Sequence, residues 1–221
     1  MLIYKKLPFD PIADFVPITL YAESQTILVV HPALPARTVG ELVALARSRP
    51  GELNFGSTGT GGLSHLAGEL LKSTTGVQMT HVPYKGTGPA QTDLLAGQIQ
   101  LMFNDTALPH VKAEKLRALA VTGAKRWSQL PDVPTFAELG IQGYETYNWF
   151  GILAPRGTPG AIIGRLNREL VAVMQEPPLQ EWMRARGAEP VTGSPEQFAA
   201  YIRKDLAKWT RVVKDTGISA E

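Results

Sequence analysis

The residues best suited to chemistry are concentrated between Asn54 and His65. This stretch, NFGSTGTGGLSH, contains four glycines and four hydroxyl side chains. Glycines let a backbone turn tightly and approach a ligand, hydroxyl groups donate hydrogen bonds, and the positive end of a following helix favours an anion. The pattern predicts a loop that binds a carboxylate or a phosphate, and a tight strand-to-helix turn without a ligand is the alternative interpretation.

Two nucleotide motifs can be tested against this loop, and both fail. A P-loop would need Lys and then Ser or Thr after Gly61, where the chain has Gly62 and Leu63. A dinucleotide fingerprint would need glycine at the position of Ser64. Without the lysine, an enzyme that transfers phosphate is a poor interpretation of this segment.

Other catalytic and metal-binding arrangements are also missing from the sequence. No G-x-S-x-G elbow is present, so acyl transfer is not expected. The four histidines show no i, i+4 spacing, and there is no cysteine, so we predict neither a metal site nor a cofactor. His65 could donate a hydrogen bond to a ligand, although a lone histidine is more often structural.

Two further segments could reach the same ligand. His81 to Ala90 contains Tyr84 and Thr87 among glycines, and Phe103 is followed by Asn104 and Asp105. Ligands of open α/β sheets bind at the carboxyl ends of strands, where Asp can meet an amine and Asn an amide or carboxylate. Simple turns are the alternative for both segments.

The surrounding sequence supplies the elements that would position these residues. A β-branched run predicts a strand over 27–31, and the S/T-x-x-E pattern from Thr38 to Glu41 predicts a capped helix that ends before Pro50. The alternation continues with strands near 53–55, 77–82, 99–103 and 116–121, and with helices over about 64–73 and 89–96. Alternating strands and helices favour a largely parallel sheet.

The last third of the chain is predicted to be mostly helical. A short helix is expected around 136–139, followed by an aromatic run over 144–150, with a boundary near 140–143. Helices are then expected from Thr158-Pro159, with proline at the first helical position, from 178–186 and from Ser194. These amphipathic helices have few predicted strands to pack against.

Composition excludes several classes of protein. The 221 residues carry 22 basic and 20 acidic side chains, scattered in sign, so we expect no nucleic-acid partner. No window approaches the ~18 apolar residues of a membrane span, and the first ten residues lack the pattern of a signal peptide. The absence of cysteine leaves the compartment open.

Ordered motifs run through essentially the whole chain: LPFDP over 7–11, GSTGTG over 56–61 with HLAGE over 65–69, VPYKG over 82–86 with GPA over 88–90, LPHVK over 108–112, LRALAVT over 116–122, LPDVPT over 130–135 and WFGILAP over 149–155. In these motifs the sequence resembles the substrate-binding receptors of tripartite tricarboxylate transporters, the Bug-type periplasmic proteins.

The resemblance implies an α/β, periplasmic-binding-protein-like fold of type II with two lobes, one intact and the other incomplete. On this hypothesis residues 1–25 are a remnant of lobe 1 and the hinge, 26–142 form the ligand-binding lobe 2, and 143–221 are the helical part of lobe 1. Family members run to about 300 residues, with a secretion signal and an opening half-lobe, so we expect the sequence to lack an N-terminal part and to bind weakly by itself.

The resemblance also implies the function: capture of a small carboxylate in a cleft and its delivery to the membrane components of a transporter, without catalysis. Di- and tricarboxylates, amino acids and aromatic acids are the known ligand classes. We expect a periplasmic monomer. The predicted ligand-binding residues are Ser57, Thr58, Gly59, Thr60, Gly61, Ser64, His65, Tyr84, Thr87, Asn104 and Asp105.

The sequence departs from the family at two places near the predicted site. Gly62-Leu63 stands where many relatives carry a hydroxyl residue, and the segment from Phe103 to Thr106 is about two residues shorter than usual. The ligand is therefore left open. A sensor that signals to a membrane partner and a degenerate chain that binds nothing are the alternative hypotheses.

Overall fold

The computed structural model describes residue 3 and residues 7–219. The chain divides into two compact units, which we describe separately. The central unit comprises residues 25–147 and 212–219, and the flanking unit comprises residues up to 24 and residues 148–211.

Strands and helices alternate through most of the described chain. The strands are β1 (Phe15–Gln25), β2 (Ile27–Val30), β3 (Asn54–Ser57), β4 (Thr80–Pro83), β5 (Leu101–Asn104), β6 (Arg117–Val121), β7 (Tyr147–Pro155) and β8 (Glu189–Pro190). The helices are α1 (Val39–Ser48), α2 (Leu63–Thr75), α3 (Thr87–Leu95), α4 (Leu108–Lys112), α5 (Gly160–Met174), α6 (Pro177–Arg184) and α7 (Pro195–Thr216).

The central unit is built on a five-stranded sheet with the order β4-β3-β5-β2-β6. β3 pairs parallel with both β4 and β5, whereas β2 pairs antiparallel with β5 and β6. The expectation of a largely parallel sheet is therefore wrong at β2. β2 follows β1 after the single residue Thr26, so no crossover helix precedes it and nothing forces it to be parallel.

Both faces of this sheet are buried, which explains the continuous apolar run in β2. Leu28 and Val30 belong to the cluster that includes Leu42 of α1 and Leu71 of α2. The alternate residues Ile27 and Val29 face the opposite way and join the cluster with Leu94 of α3 and Trp127. Alternate side chains of a strand point to opposite faces, so a strand between two helical layers must be apolar throughout.

α2, the helix that follows the glycine-rich loop, lies very close to β3. A side chain at Gly68 would collide with the ring of Phe55, so only a glycine permits this approach. The hydroxyl of Tyr144, which is 1% exposed, donates a hydrogen bond to the carbonyl of Ala67 in the same helix. These contacts fix the position of α2 and hence of the loop before it.

The start of α1 confirms one half of the predicted capping box. The hydroxyl of Thr38 accepts a hydrogen bond from the Glu41 N–H at 3.1 Å. The Glu41 carboxylate accepts from the N–H of Arg37 and not from that of Thr38. Thr38 is therefore the N-cap, as the S/T-x-x-E pattern predicts, and only the return bond from Glu41 goes to the residue before the cap.

Two helix predictions need correction. Residues 136–140 form turns, in which Leu139 N–H donates to the carbonyl of Thr135 and Gly140 N–H to that of Ala137, and no regular helix follows. The ring of Phe136 stacks on that of Tyr144, with centroids 3.8 Å apart. This contact holds the turns in place, and they do not continue as a helix. Pro159 is the N-cap of α5 and not its first helical residue.

The flanking unit contains a three-stranded sheet with the order β7-β1-β8. β1 and β7 were not predicted from the sequence, and because they form this sheet, the expectation that the C-terminal helices have few strands to pack against is wrong. Ile163 of α5 packs with Ile18 of β1 and Ala154 of β7. Ile162 of the same helix remains 49% exposed.

Among the residues that the structure describes, no helix is long and apolar enough to cross a membrane. An apolar pocket of about 350 Å³ lies in the flanking unit, and none of the predicted ligand-binding residues lines it. Its walls are formed by Pro11, Ile12, Phe15, Trp149, Leu153, Ile202, Asp205, Leu206 and Trp209.

Candidate functional site

The sheet of the central unit brings the three predicted segments to one edge. Ser57 ends β3 and lies opposite Pro83, which ends β4. Asn104 ends β5 and lies opposite Ile27, the first residue of the antiparallel β2. The loops that follow Ser57, Pro83 and Asn104 therefore leave the sheet side by side.

The glycine loop, defined as residues 57–64, is closed at its base by two hydroxyl groups. The backbone N–H of Thr58 donates to the Ser64 hydroxyl oxygen at 2.9 Å, across the loop. The Ser57 hydroxyl oxygen accepts a hydrogen bond from the Gly59 N–H at 3.2 Å. Both serines are at least 95% buried, so these bonds are shielded from competing water.

Glycine is needed at two positions of this loop because the backbone turns there with positive φ. Gly59 has φ of 136° and Gly61 has φ of 78°. L-residues with side chains rarely adopt these angles, and β-branched residues least of all. At Gly62, where many relatives are expected to carry a hydroxyl residue, an added Cβ would lie 2.9 Å from the Thr58 hydroxyl oxygen. A side chain at Gly62 would therefore require Thr58 to move.

Three backbone N–H groups of the glycine loop remain available to a ligand. Within residues 7–219, no acceptor takes a hydrogen bond from the amides of Thr60, Leu63 and Ser64. Leu63 and Ser64 form the first turn of α2, whose cap Gly62 provides no side-chain bond. Free N–H groups at the positive end of a helix of 13 residues attract an anion.

His65, predicted as a possible ligand donor, serves the loop itself. Its Nδ1 accepts the N–H of Gly61 at 3.0 Å, so the proton of the neutral ring is on Nε2. Nε2 lies 3.8 Å from the Glu69 carboxylate, and Glu69 in turn accepts from the Lys72 ammonium at 2.7 Å. Burial is the main cause that lowers the pKa of His65, while Glu69 opposes this shift.

His81 completes this arrangement, and the sequence analysis missed it. Its ring stacks on that of His65 with centroids 3.6 Å apart and planes 9° apart. Its Nε2 lies 2.6 Å from the Ser57 hydroxyl. Burial, with smaller effects from His65 and Lys72, lowers the pKa of His81 to about 4. No local sequence signal identifies His81, because its position depends on strand register: it pairs with Phe55, two residues before Ser57 and thus on the same face of the sheet.

The second segment meets the glycine loop through its backbone. The N–H of Tyr84 donates to the carbonyl of Ser57 at 3.0 Å, and that of Gly86 to the carbonyl of Thr58 at 3.2 Å. The Tyr84 hydroxyl donates to the Asp93 carboxylate at 2.8 Å, and burial followed by this bond raises the pKa of Tyr84 to about 12. Thr87 begins α3, whose cap Gly86 makes no side-chain bond.

The third segment is a compact polar turn. Asn104, 3% exposed, accepts the N–H of Thr106 at 2.8 Å through Oδ1 and donates through Nδ2 to the Gln91 side chain at 3.2 Å. Asp105 is half-buried and engaged with neighbouring groups. Gln91 is a residue that the sequence analysis missed, because nothing local distinguishes it from an ordinary helix residue.

The glycine loop presents neutral hydrogen-bond donors. Between Leu53 and Gly68 the sequence carries no Asp, Glu, Lys or Arg, so no carboxylate, ammonium or guanidinium group of this stretch offsets the backbone dipoles of the loop. No group of three or more potential ligands suitable for a metal ion occurs among the residues that the structure describes. The arrangement can hold a carboxylate or a phosphate, and backbone geometry alone does not choose between them.

The sequence is similar to known proteins over nearly its whole length. Residues 2–218 match the protein family described as "Tripartite tricarboxylate transporter family receptor". Protein BugT of Bordetella pertussis is 35% identical over 213 residues, which are 96% of this chain and 65% of that protein. The chain thus spans just under two thirds of BugT.

Solved structures show the same similarity in three dimensions. The structure of Rpa4515 from R. palustris with adipate matches with a TM-score of 0.89 at 40% identity, over 98% of this chain and 73% of that one. MatC from Rhodopseudomonas palustris with bound malate matches with a TM-score of 0.84 at 29% identity, over 96% of this chain and 74% of that one. The α/β fold is therefore that of periplasmic binding proteins, as the resemblance implied.

Proposed function

Because this chain belongs to the tripartite tricarboxylate transporter receptor family, we propose that it is a solute-binding receptor for a small carboxylate. The observation that carries the proposal is the set of three free amides, those of Thr60, Leu63 and Ser64, in a loop without charged side chains. Such amides bind an anion without the proton transfer or covalent step that an enzyme needs. We therefore propose capture and release, without catalysis.

The glycine loop holds one carboxylate of the ligand in this proposal. A carboxylate has two oxygens that accept several hydrogen bonds, which matches the three amides and the nearby Thr58 and Thr60 hydroxyls. Gly59 and Gly61 bring the backbone close to the ligand, and Ser64 keeps the loop closed through Thr58. His65 acts on the ligand through Gly61.

The neighbouring loops provide the remaining contacts. The Thr87 amide at the start of α3 contributes a further donor on one side. Asn104 and Asp105 lie on the other side, where Asn can donate to a second carboxylate and Asp can accept from a hydroxyl or an amine. Adipate and malate, bound by two similar proteins, are both dicarboxylates, and malate also carries a hydroxyl. A dicarboxylate is the ligand class that we propose.

The proposed partner is the membrane part of a tripartite tricarboxylate transporter, which would receive the ligand from this receptor. The proposed location is the periplasm, where BugD, a similar protein with 32% identity and a TM-score of 0.86, is described as a periplasmic binding protein. We further propose that the receptor acts as a monomer.

Isothermal titration calorimetry tests the proposed ligand class. The chain is titrated with adipate, malate, citrate, glutamate and benzoate, and with inorganic phosphate as the competing anion. We expect saturable binding of at least one di- or tricarboxylate and none of phosphate. Binding of phosphate alone, or of no carboxylate by a folded chain at millimolar ligand, would contradict the proposal.

A further inference from the structure

We propose that His65 and His81 form a positioning pair that holds the glycine loop in its binding conformation, and that protonation of His65 releases the loop. The inference rests on the proposed function, because it concerns the loop whose amides would bind the carboxylate. Neither imidazole needs to touch the ligand. Both are positioning residues that act through Gly61 and Ser57.

The first step is the bond between His65 and Gly61. Nδ1 of His65 accepts the Gly61 N–H at 3.0 Å, and only an unprotonated nitrogen can accept. An imidazolium carries N–H on both nitrogens, so protonation replaces this bond with two opposed donors. Gly61, at φ of 78°, lies between the free amides of Thr60 and Leu63. Without this bond the backbone around Gly61 is free to move, and the alignment of the Thr60 and Leu63 amides is lost.

The second step is the support that His81 gives to His65. The stacked rings, 3.6 Å apart, leave no room for His65 to turn, and two charged rings at this distance would repel each other. His81 also holds the Ser57 hydroxyl at 2.6 Å, and that hydroxyl accepts the Gly59 N–H. The pair thus fixes the loop at Gly59 and at Gly61.

The groups around the pair keep both rings neutral. α2 contributes Glu69, which stabilises a charge on His65, and Lys72, which opposes it. β3 contributes Phe55 and Ser57, which do not titrate in the pH range in which histidine does, and β4 contributes His81. Burial is the largest influence on both histidines and lowers both pKa values. At neutral pH both rings are therefore neutral and His65 Nδ1 accepts the Gly61 N–H, and acid conditions remove that capacity.

Four single substitutions test the pair. His65→Ala removes the acceptor for Gly61, whereas His65→Asn can supply an oxygen near the position of Nδ1 that does not become protonated. His81→Gln keeps a polar group near Ser57 but loses the stacked ring. His31→Asn is the matched control, because His31 Nδ1 also accepts a backbone N–H, that of Ala33 at 3.2 Å, but lies outside the three loops.

Nuclear magnetic resonance measures the His65 tautomer and hydrogen exchange at the Gly61 amide, and calorimetry measures the affinity for adipate. We expect the neutral His65 of the unaltered chain to show the Nε2–H tautomer. Hydrogen exchange at the Gly61 amide should be about five- to tenfold faster in His65→Ala, and this protection should return in His65→Asn. Adipate affinity should decrease as the pH is lowered in the unaltered chain and in His31→Asn, and this decrease should be smaller in His65→Asn.

The two proposals can fail separately. An Nδ1–H tautomer, or unchanged Gly61 exchange and adipate affinity in His65→Ala, would overturn the positioning pair and leave the receptor function standing. If Gly61 hydrogen exchange and the His65 tautomer are as expected but the chain binds neither adipate nor malate, the positioning pair is supported and the proposed ligand is overturned. Equal pH dependence of affinity in the unaltered chain and in His65→Asn would also overturn the pair.

Discussion

The hydroxyl oxygen of Ser64 accepts the backbone N–H of Thr58 at 2.9 Å, so the first turn of α2 closes the loop that leads into it. The two residues are six positions apart, and both lie on the segment proposed to bind the carboxylate. A helix start and a ligand loop are therefore one structural unit. The first prediction follows from this bond.

Ser64→Ala should weaken both the fold and carboxylate binding. Thr58 N–H loses its acceptor in a partly buried environment, which costs about 1 kcal/mol. Urea denaturation measures the cost, and calorimetry with adipate should show an affinity lower by about tenfold or less. Ser73→Ala is the control, because the Ser73 hydroxyl donates to Leu70 in the same helix and is exposed. Equal effects of the two substitutions would show that Ser64 is not part of the site.

Gly61→Val should abolish ligand binding and leave the central unit folded. Valine at φ of 78° is strained by about 1–3 kcal/mol, which would displace the backbone next to the Thr60 amide. Circular dichroism checks the fold, and calorimetry with adipate checks binding. The matched control is Gly76→Val, since Gly76 has φ of 70° at the other end of α2 and open space around it. Unchanged affinity in Gly61→Val would exclude the loop from the site.

Tyr84→Phe should affect stability more than ligand affinity. The Tyr84 hydroxyl donates to Asp93, so its removal costs about 1 kcal/mol and leaves the backbone bond to Ser57 intact. We expect adipate affinity to remain within about threefold of the unaltered value. A loss comparable to that of Gly61→Val would show that the hydroxyl leaves Asp93 to bind the ligand.

Acidification should lower the free energy of unfolding through His65 and His81. Both pKa values lie below the ordinary value of 6.5 in the folded chain, that of His81 at about 4. As the pH falls through 6.5 the unfolded chain takes up these protons first, so stability declines from there towards about pH 4. Above pH 6.5 their contribution is fully present.

Urea denaturation at about pH 7.5, 6, 5 and 4.5 covers the interval in which this proton uptake differs. The double variant His65→Asn with His81→Gln should show a smaller decline over the interval, because neither new side chain titrates. His31→Asn should decline like the unaltered chain. The same slope in the double variant would show that other groups cause the acid sensitivity.

Much of this fold follows from local pattern. The β-branched run of β2, the capping residue Thr38 and the apolar periodicity of α2 each predict the observed element within a few residues. β1 and β7 were missed for a local reason as well. β1 mixes polar and apolar residues around Pro17, and β7 contains the aromatic run with Gly151, so neither shows a strict alternation.

The sequence by itself determined the chemistry of the glycine loop, because glycine and hydroxyl content, the following helix and the missing lysine are local facts. Its ordered motifs also determined the family. Only the tertiary structure decided that β2 is antiparallel and that His81 supports the loop by stacking on His65 and bonding to Ser57. Strand register and ring stacking join residues that are distant along the chain. His65 and His81 are separated by 16 positions, and Ser57 and His81 by 24 positions. Such pairs form only when the whole sheet assembles, and no local pattern records them.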